Sequence, residues 1–179
     1  MAGLPATSAG VLRKERRMEW REVVEHPSLR DLPFKIETNE WGKIMMTPAT
    51  YAHGLYQGRI IGWFERHAEG GRPSGECPIQ TSKGVKVADV AWASRGFLKK
   101  HGVSNLLLPE SPEIVVEIKS PSNSAPEMEE KRQLYFEAGA KEFWFCDEHG
   151  NIRFFDPRGE LERSGLFGEF PRHIDIENE

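Results

Sequence analysis

Apolar and polar residues alternate most regularly over residues 113–119. Ile114, Val116 and Ile118 fall on one side of an extended chain there, and Glu113, Val115, Glu117 and Lys119 on the other. That period of two predicts a strand. Residues 85–92 form a nearly continuous apolar run, and residues 76–81 precede it across Ser82-Lys83-Gly84, so the two segments read as a hairpin. Residues 35–37 and 43–46 flank the turn-forming Asn39-Glu40-Trp41-Gly42 and predict another hairpin. Residues 142–146 and 151–156, around Asp147-Glu148-His149-Gly150, predict a third.

Helical spacing replaces the alternation elsewhere. Residues 18–24 suit a short helix interrupted by His26-Pro27-Ser28. Thr47 as N-cap and Pro48 at the first helical position predict a long helix running to about His67, closed by Gly70-Gly71. Tyr56, Ile60, Trp63, Phe64 and His67 share one broad side of it. Gly54, Gly58 and Gly62 share another, and each costs about 1 kcal/mol relative to alanine. Close approach of another backbone would offset that cost, either from the domain's own sheet or from a second copy of the chain. Ser94 caps a short helix ending at Gly102, and Ser124 with Glu127 forms a capping box for a helix over residues 125–138 that stops at Gly139. The pattern weakens after Asp156. Residues 1–17 read as a flexible basic tail and residues 18–179 as one domain of the α/β (α+β) class, a central mixed sheet flanked by helices.

The chain has 179 residues, suited to one domain, and its 38% hydrophobic share with ten Phe and five Trp supplies a core. Only Cys77 and Cys146 occur, without metal-binding spacing, which argues against a disulfide framework and for a reducing cytoplasm. No apolar run approaches the roughly 20 residues of a membrane span, and the N-terminal basic residues do not precede a strong apolar stretch, so secretion is not expected. The net charge of −4 confines any nucleic-acid contact to local patches. The basic runs are Arg13, Lys14, Arg16 and Arg17, then Lys83 with Lys86, and Lys99 with Lys100. Each reads first as solvated surface.

Chemistry enters where charge interrupts apolar strands. Asp89 sits inside Val87-Ala88-Asp89-Val90-Ala91-Trp92, and Glu117 and Lys119 sit inside the strand at 113–119. Such groups are costly unless paired, hydrogen-bonded or bound to metal. Residues two apart on a strand are separated by about 7 Å and point the same way, so Glu117 and Lys119 could share a site that Glu113 would not reach. Glu113, at the start of the strand, would be exposed. Asp89 and Glu117 as oxygen ligands suit Mg²⁺ or Mn²⁺, with Lys119 orienting water or neutralising charge during phosphodiester hydrolysis. An Asp89–Lys119 ion pair between neighbouring strands, with Glu117 satisfied by backbone or solvent, explains the same spacing, and spacing leaves both open.

Three segments together resemble a known family: Lys86-Val87-Ala88-Asp89-Val90-Ala91-Trp92, the stretch Pro112-Glu113-Ile114-Val115-Val116-Glu117-Ile118-Lys119-Ser120-Pro121-Ser122, and residues 131–144 with Tyr135 and Gly139. They are similar to the Uma-two family of restriction-endonuclease-like proteins, within the PD-(D/E)xK nuclease superfamily, and the likeness runs from about Lys35 to Phe155. It implies a restriction-endonuclease-like fold and a metal-dependent nuclease acting on nucleic acid, DNA first. Asp89, Glu117 and Lys119 match the motif aspartate, glutamate and lysine. Lys131 matches a lysine usual on the following helix, and His53 a histidine often found near the start of the first long helix. Ala88 stands where the family usually has proline, which supplies no ligand. A non-catalytic nucleic-acid-binding or assembly module of the same fold is the competing expectation, and a homodimer is the expected assembly.

Overall fold

Extended segments of this chain divide between two sheets. The computed structural model describes residues 18–48, 50–121 and 123–177, so the expected tail over residues 1–17 lies outside the described residues. Helix α1 (Trp20–Glu25) is followed by strands β1 (Phe34–Thr38) and β2 (Ile44–Pro48), helix α2 (Tyr51–His67), strands β3 (Gly71–Thr81) and β4 (Gly84–Ser94), and helix α3 (Arg95–His101). Then come β5 (Ile114–Ile118), helix α4 (Ala125–Glu137), β6 (Glu142–Cys146), β7 (Ile152–Asp156) and β8 (Gly159–Leu161). The β1–β2 hairpin is a sheet of its own, and the other strands form one six-stranded sheet in the order β3-β4-β5-β6-β7-β8. Neighbours are antiparallel except β5 and β6, which run parallel because α4 carries the chain back across the sheet.

Each face of the large sheet is covered. Tyr56, Ile60 and Phe64 of α2 bury against Val90, Trp92, Ile114, Val116, Ile118 and Trp144. On the other face, Tyr135 of α4 meets Ala88, Ala91, Val115, Phe143 and Phe155. All five residues of β5 are buried, as expected for a strand between two helical layers.

Several expected boundaries move. The long helix begins at Tyr51, capped by Thr50, whose hydroxyl accepts from His53 N at 3.2 Å. Thr47 and Pro48 instead end β2, because Pro48 stands opposite Phe34 and Thr47 opposite Lys35 in the hairpin register. Both capping predictions at Ser94 and Ser124 hold, the second with both halves of its capping box formed. Strand β8 follows the Asp156 turn where the apolar pattern is too short to read. Among the described residues the glycine row does not pack on the chain's own sheet: a Cβ at Gly54 or Gly58 would meet nothing within 4 Å, and one at Gly62 only the Arg66 side chain.

Candidate active site

Regular alternation would place Ala88 and Val90 on one face of β4. Val90 and Trp92 lie in the core beneath α2, but Ala88 lies in the opposite core with Ala91. The pleat therefore slips by one residue at Asp89. The β3–β4 ladder breaks at the same level: Gly75 pairs with Val90 and Cys77 with Ala88, with no Glu76–Asp89 pair between them. Glu76 takes φ 47°, a left-handed conformation rare for a residue with a side chain. Gln57 of α2 enters the break and donates to the Asp89 carbonyl at 2.8 Å, and a Cβ at Gly75 would lie 2.8 Å from its Nε2. A side chain there would push Gln57 away from the Asp89 carbonyl.

Strands β4 and β5 pair only from Val90 to Trp92 and part beyond Val116. The Asp89 carboxylate bridges that gap, accepting from the Ile118 amide at 2.7 Å. Glu117 lies beside it, accepting from the Tyr135 hydroxyl at 2.6 Å and from Lys131 Nζ at 3.3 Å. The β1–β2 hairpin closes the site from above. Glu37 accepts from the Val87 amide at 3.0 Å, and the Thr38 hydroxyl from the Val85 amide at 2.8 Å, which fixes β1 against β4. So held, Lys35 Nζ reaches 2.5 Å from Asp89 Oδ1 and 3.5 Å from Glu117 Oε2. Lys131 Nζ also lies 2.8 Å from Glu37.

Charge follows this geometry. Burial alone would raise the Asp89 carboxyl, but Lys35 and His53, whose Nε2 is 3.1 Å from Oδ2, hold it well below the usual range. The hydrogen bond to Asp89 outweighs burial and raises His53 above an ordinary imidazole. Burial dominates at Glu117 and raises its carboxyl despite Lys131 and Lys35. Burial opposes charge on Glu37 as well, yet Lys131 and Lys35 hold it low.

The sequence-predicted residues Asp89, Glu117, Lys131 and His53 thus line one pocket, with Lys35 and Glu76. Lys119 does not join them here. Its ammonium pairs with Glu148 at 2.8 Å, its side chain is 37% exposed, and it borders a larger adjoining cleft that shares Asn123 with the pocket. The reason is that β5 ends at Ile118 and that two other lysines already neutralise the carboxylates. The alternative Asp89–Lys119 pair is not formed either: Asp89 takes its ammonium from Lys35. Sequence reasoning missed Lys35 in the pocket, and Glu37 and Tyr135 as partners of Lys131 and Glu117 behind it. A Lys-x-Glu spacing on β1 was the available signal, since residues two apart on a strand share a face.

Among the described residues, no group of three or more His, Cys, Asp or Glu side chains converges as a ready-made cation cage. The sequence matches the family described as "Uma2: Putative restriction endonuclease" over residues 31–173. A crystal structure from Anabaena variabilis, described as that of a "putative nuclease belonging to DUF820", is similar with a TM-score of 0.63 at 16% identity, over 79% of this chain and 87% of that one. At that identity the likeness speaks for the fold. A comparison with curated proteins found no match.

Proposed function

We propose, from the premise that this chain belongs to the Uma2 family of restriction-endonuclease-like proteins, that it hydrolyses phosphodiester bonds in nucleic acid, DNA first, with Mg²⁺ or Mn²⁺ held by Asp89 and Glu117. The expected restriction-endonuclease-like fold, a mixed central sheet with helices on both faces, is the fold observed. The observation that carries the proposal is the convergence of two buried carboxylates, from strands that have just parted, on one cationic position.

The donor set suits the ion. Asp89 Oδ1 and Glu117 Oε2 both lie within 3.5 Å of Lys35 Nζ, so one positive charge already stands close to both oxygens. Mg²⁺ is commonly bound by one or two carboxylates and completes its shell with water and phosphate oxygens, which two protein ligands leave room for. When bound, such an ion supplies polarisation of a phosphoryl oxygen and a more acidic water.

The chain's own residues do the rest. His53 adds to Lys35 in keeping Asp89 ionised, the Ile118 amide aims its carboxylate, and Tyr135 fixes one oxygen of Glu117 so that the other faces the pocket. Lys131 offsets negative charge beside Glu117. Lys119, at the mouth of the adjoining cleft, stabilises charge on the phosphate by exchanging its exposed partner Glu148 for substrate. Cys77 and Cys146 are free and buried, which suits a reducing cytoplasm, and among the described residues no helix is long and apolar enough to cross a membrane. The working assembly is a homodimer.

A non-catalytic nucleic-acid-binding module is the second reading, favoured by one observation: Asp89, Glu117 and Glu37 already have lysine partners. Cleavage assays on single- and double-stranded DNA and RNA with Mg²⁺ or Mn²⁺ separate the two. Asp89→Asn is expected to abolish cleavage, and Lys119→Ala to slow it by roughly 10²-fold without changing metal affinity, the scale of one lost electrostatic stabiliser. A folded wild type inactive on every substrate would leave the non-catalytic module.

A further inference from the structure

Lys35 reaches the pocket from outside the large sheet, and phosphodiester hydrolysis does not by itself call for it. Its Nζ is 2.5 Å from Asp89 Oδ1, 3.5 Å from Glu117 Oε2 and 3.9 Å from Glu37 Oε1. Its side chain is 12% exposed, against 2% for each of the two carboxylates proposed as ligands, so it reaches solvent where they do not. Lys131, the other ammonium, is engaged with Glu37 and Glu117 and has a different position.

A divalent ion bound directly by both carboxylates would stand about 2.0–2.6 Å from their oxygens, depending on the ion. Lys35 Nζ takes up the Asp89 side of that space, 2.5 Å from Oδ1, and stands 3.5 Å from Glu117 Oε2, too close to leave room for the ion beside it. An ammonium and a divalent ion cannot share it, because the two overlap sterically and repel each other. We propose that Lys35 is a tethered counter-ion for Asp89 and Glu117, and that a divalent ion enters this site by exchanging with its ammonium.

The four-carbon stem makes exchange feasible without unfolding the hairpin. Lysine is flexible and carries its charge as a point, and β1 stays anchored through Glu37 and Thr38, which bond to β4 independently of Lys35. The exchange has two consequences. The fold needs no metal, because the lysine neutralises the carboxylates. The ion meets a competitor in the protein itself, so its affinity is lower than the two carboxylates alone would give.

The inference rests on the proposed metal site, and the test separates the two. Wild type, Lys35→Met and Lys35→Gln, each as the full chain without nucleic acid, are titrated with Mn²⁺ by calorimetry and melted over a series of Mn²⁺ concentrations. Methionine keeps an apolar stem, and glutamine keeps a hydrogen-bond donor toward Asp89 while removing the charge. Both variants are expected to melt below wild type in chelator, to bind Mn²⁺ about tenfold more tightly or better, and to recover Tm more steeply as Mn²⁺ rises. A Lys35→Met chain that folds only with Mn²⁺ supports the exchange, and Lys35→Gln then carries the affinity comparison. Wild type and variants binding Mn²⁺ equally, or variants binding it more weakly, overturns the exchange and leaves the metal site standing. No binding by any of them removes the metal site and this inference together.

Discussion

At the scale of single residues, the site is a problem of burying like charges. Glu117 is 2% exposed and has Asp89 and Glu37 nearby, so its ionised form depends on what donates to it. The Lys131 ammonium and the Tyr135 hydroxyl do so, and the Lys35 ammonium lies 3.5 Å away. The hydroxyl is the neutral member, which makes it the clean one to remove. Tyr135→Phe leaves the ring packed against Phe143 but strips Glu117 Oε1 of its 2.6 Å donor. Losing a hydrogen bond to a buried charged acceptor costs about 1–3 kcal/mol. Urea unfolding is expected to show a lower midpoint with an unchanged slope. An unchanged midpoint would mean that the two lysines suffice.

At the scale of elements, β5 is held at both ends by carboxylates. Asp89 secures its end through the Ile118 amide. Glu113 secures its start, accepting from the Ser94 amide at 3.0 Å and the Ser94 hydroxyl at 2.6 Å, and is half-buried rather than the exposed residue expected from its position. Burial alone would raise Glu113, but the Ser94 bonds bring its carboxyl below the ordinary value. A carboxyl lower in the folded than in the unfolded chain contributes stability above the unfolded value, about 4.3, and loses it as the pH falls through the folded value. Glu113→Gln is therefore expected to destabilise at neutral pH and to flatten the acid limb of a Tm-against-pH profile below about pH 4.3. An acid limb of unchanged steepness would mean that Glu113 does not anchor β5 as an ion.

For the whole molecule, the surface of α2 bears on assembly. Gly54 and Gly58 of α2 face open space among the described residues, and Tyr51 at the start of that helix is 85% exposed. A homodimer is expected to give twice the mass of a single chain by light scattering at micromolar concentration, and a monomer there would end that expectation. The strands around 85–92 and 113–119, the capped helix after Ser124 and the nearness of Asp89 to Glu117 were legible along the chain. Each of these is a local pattern: a period of two, a cap at fixed spacing, or charge inside an apolar run. Which cations answer those carboxylates was settled by how the elements pack. Lys35 comes from a separate hairpin 54 residues away from Asp89, and Lys119, two residues from Glu117, turns to Glu148. The pleat slip at Asp89 and the left-handed Glu76 come where Gln57 reaches in from α2 and bonds to both residues, and the register of β2 moved the start of α2. Long-range electrostatics and strand register are set by elements meeting in space, and no local spacing carries them.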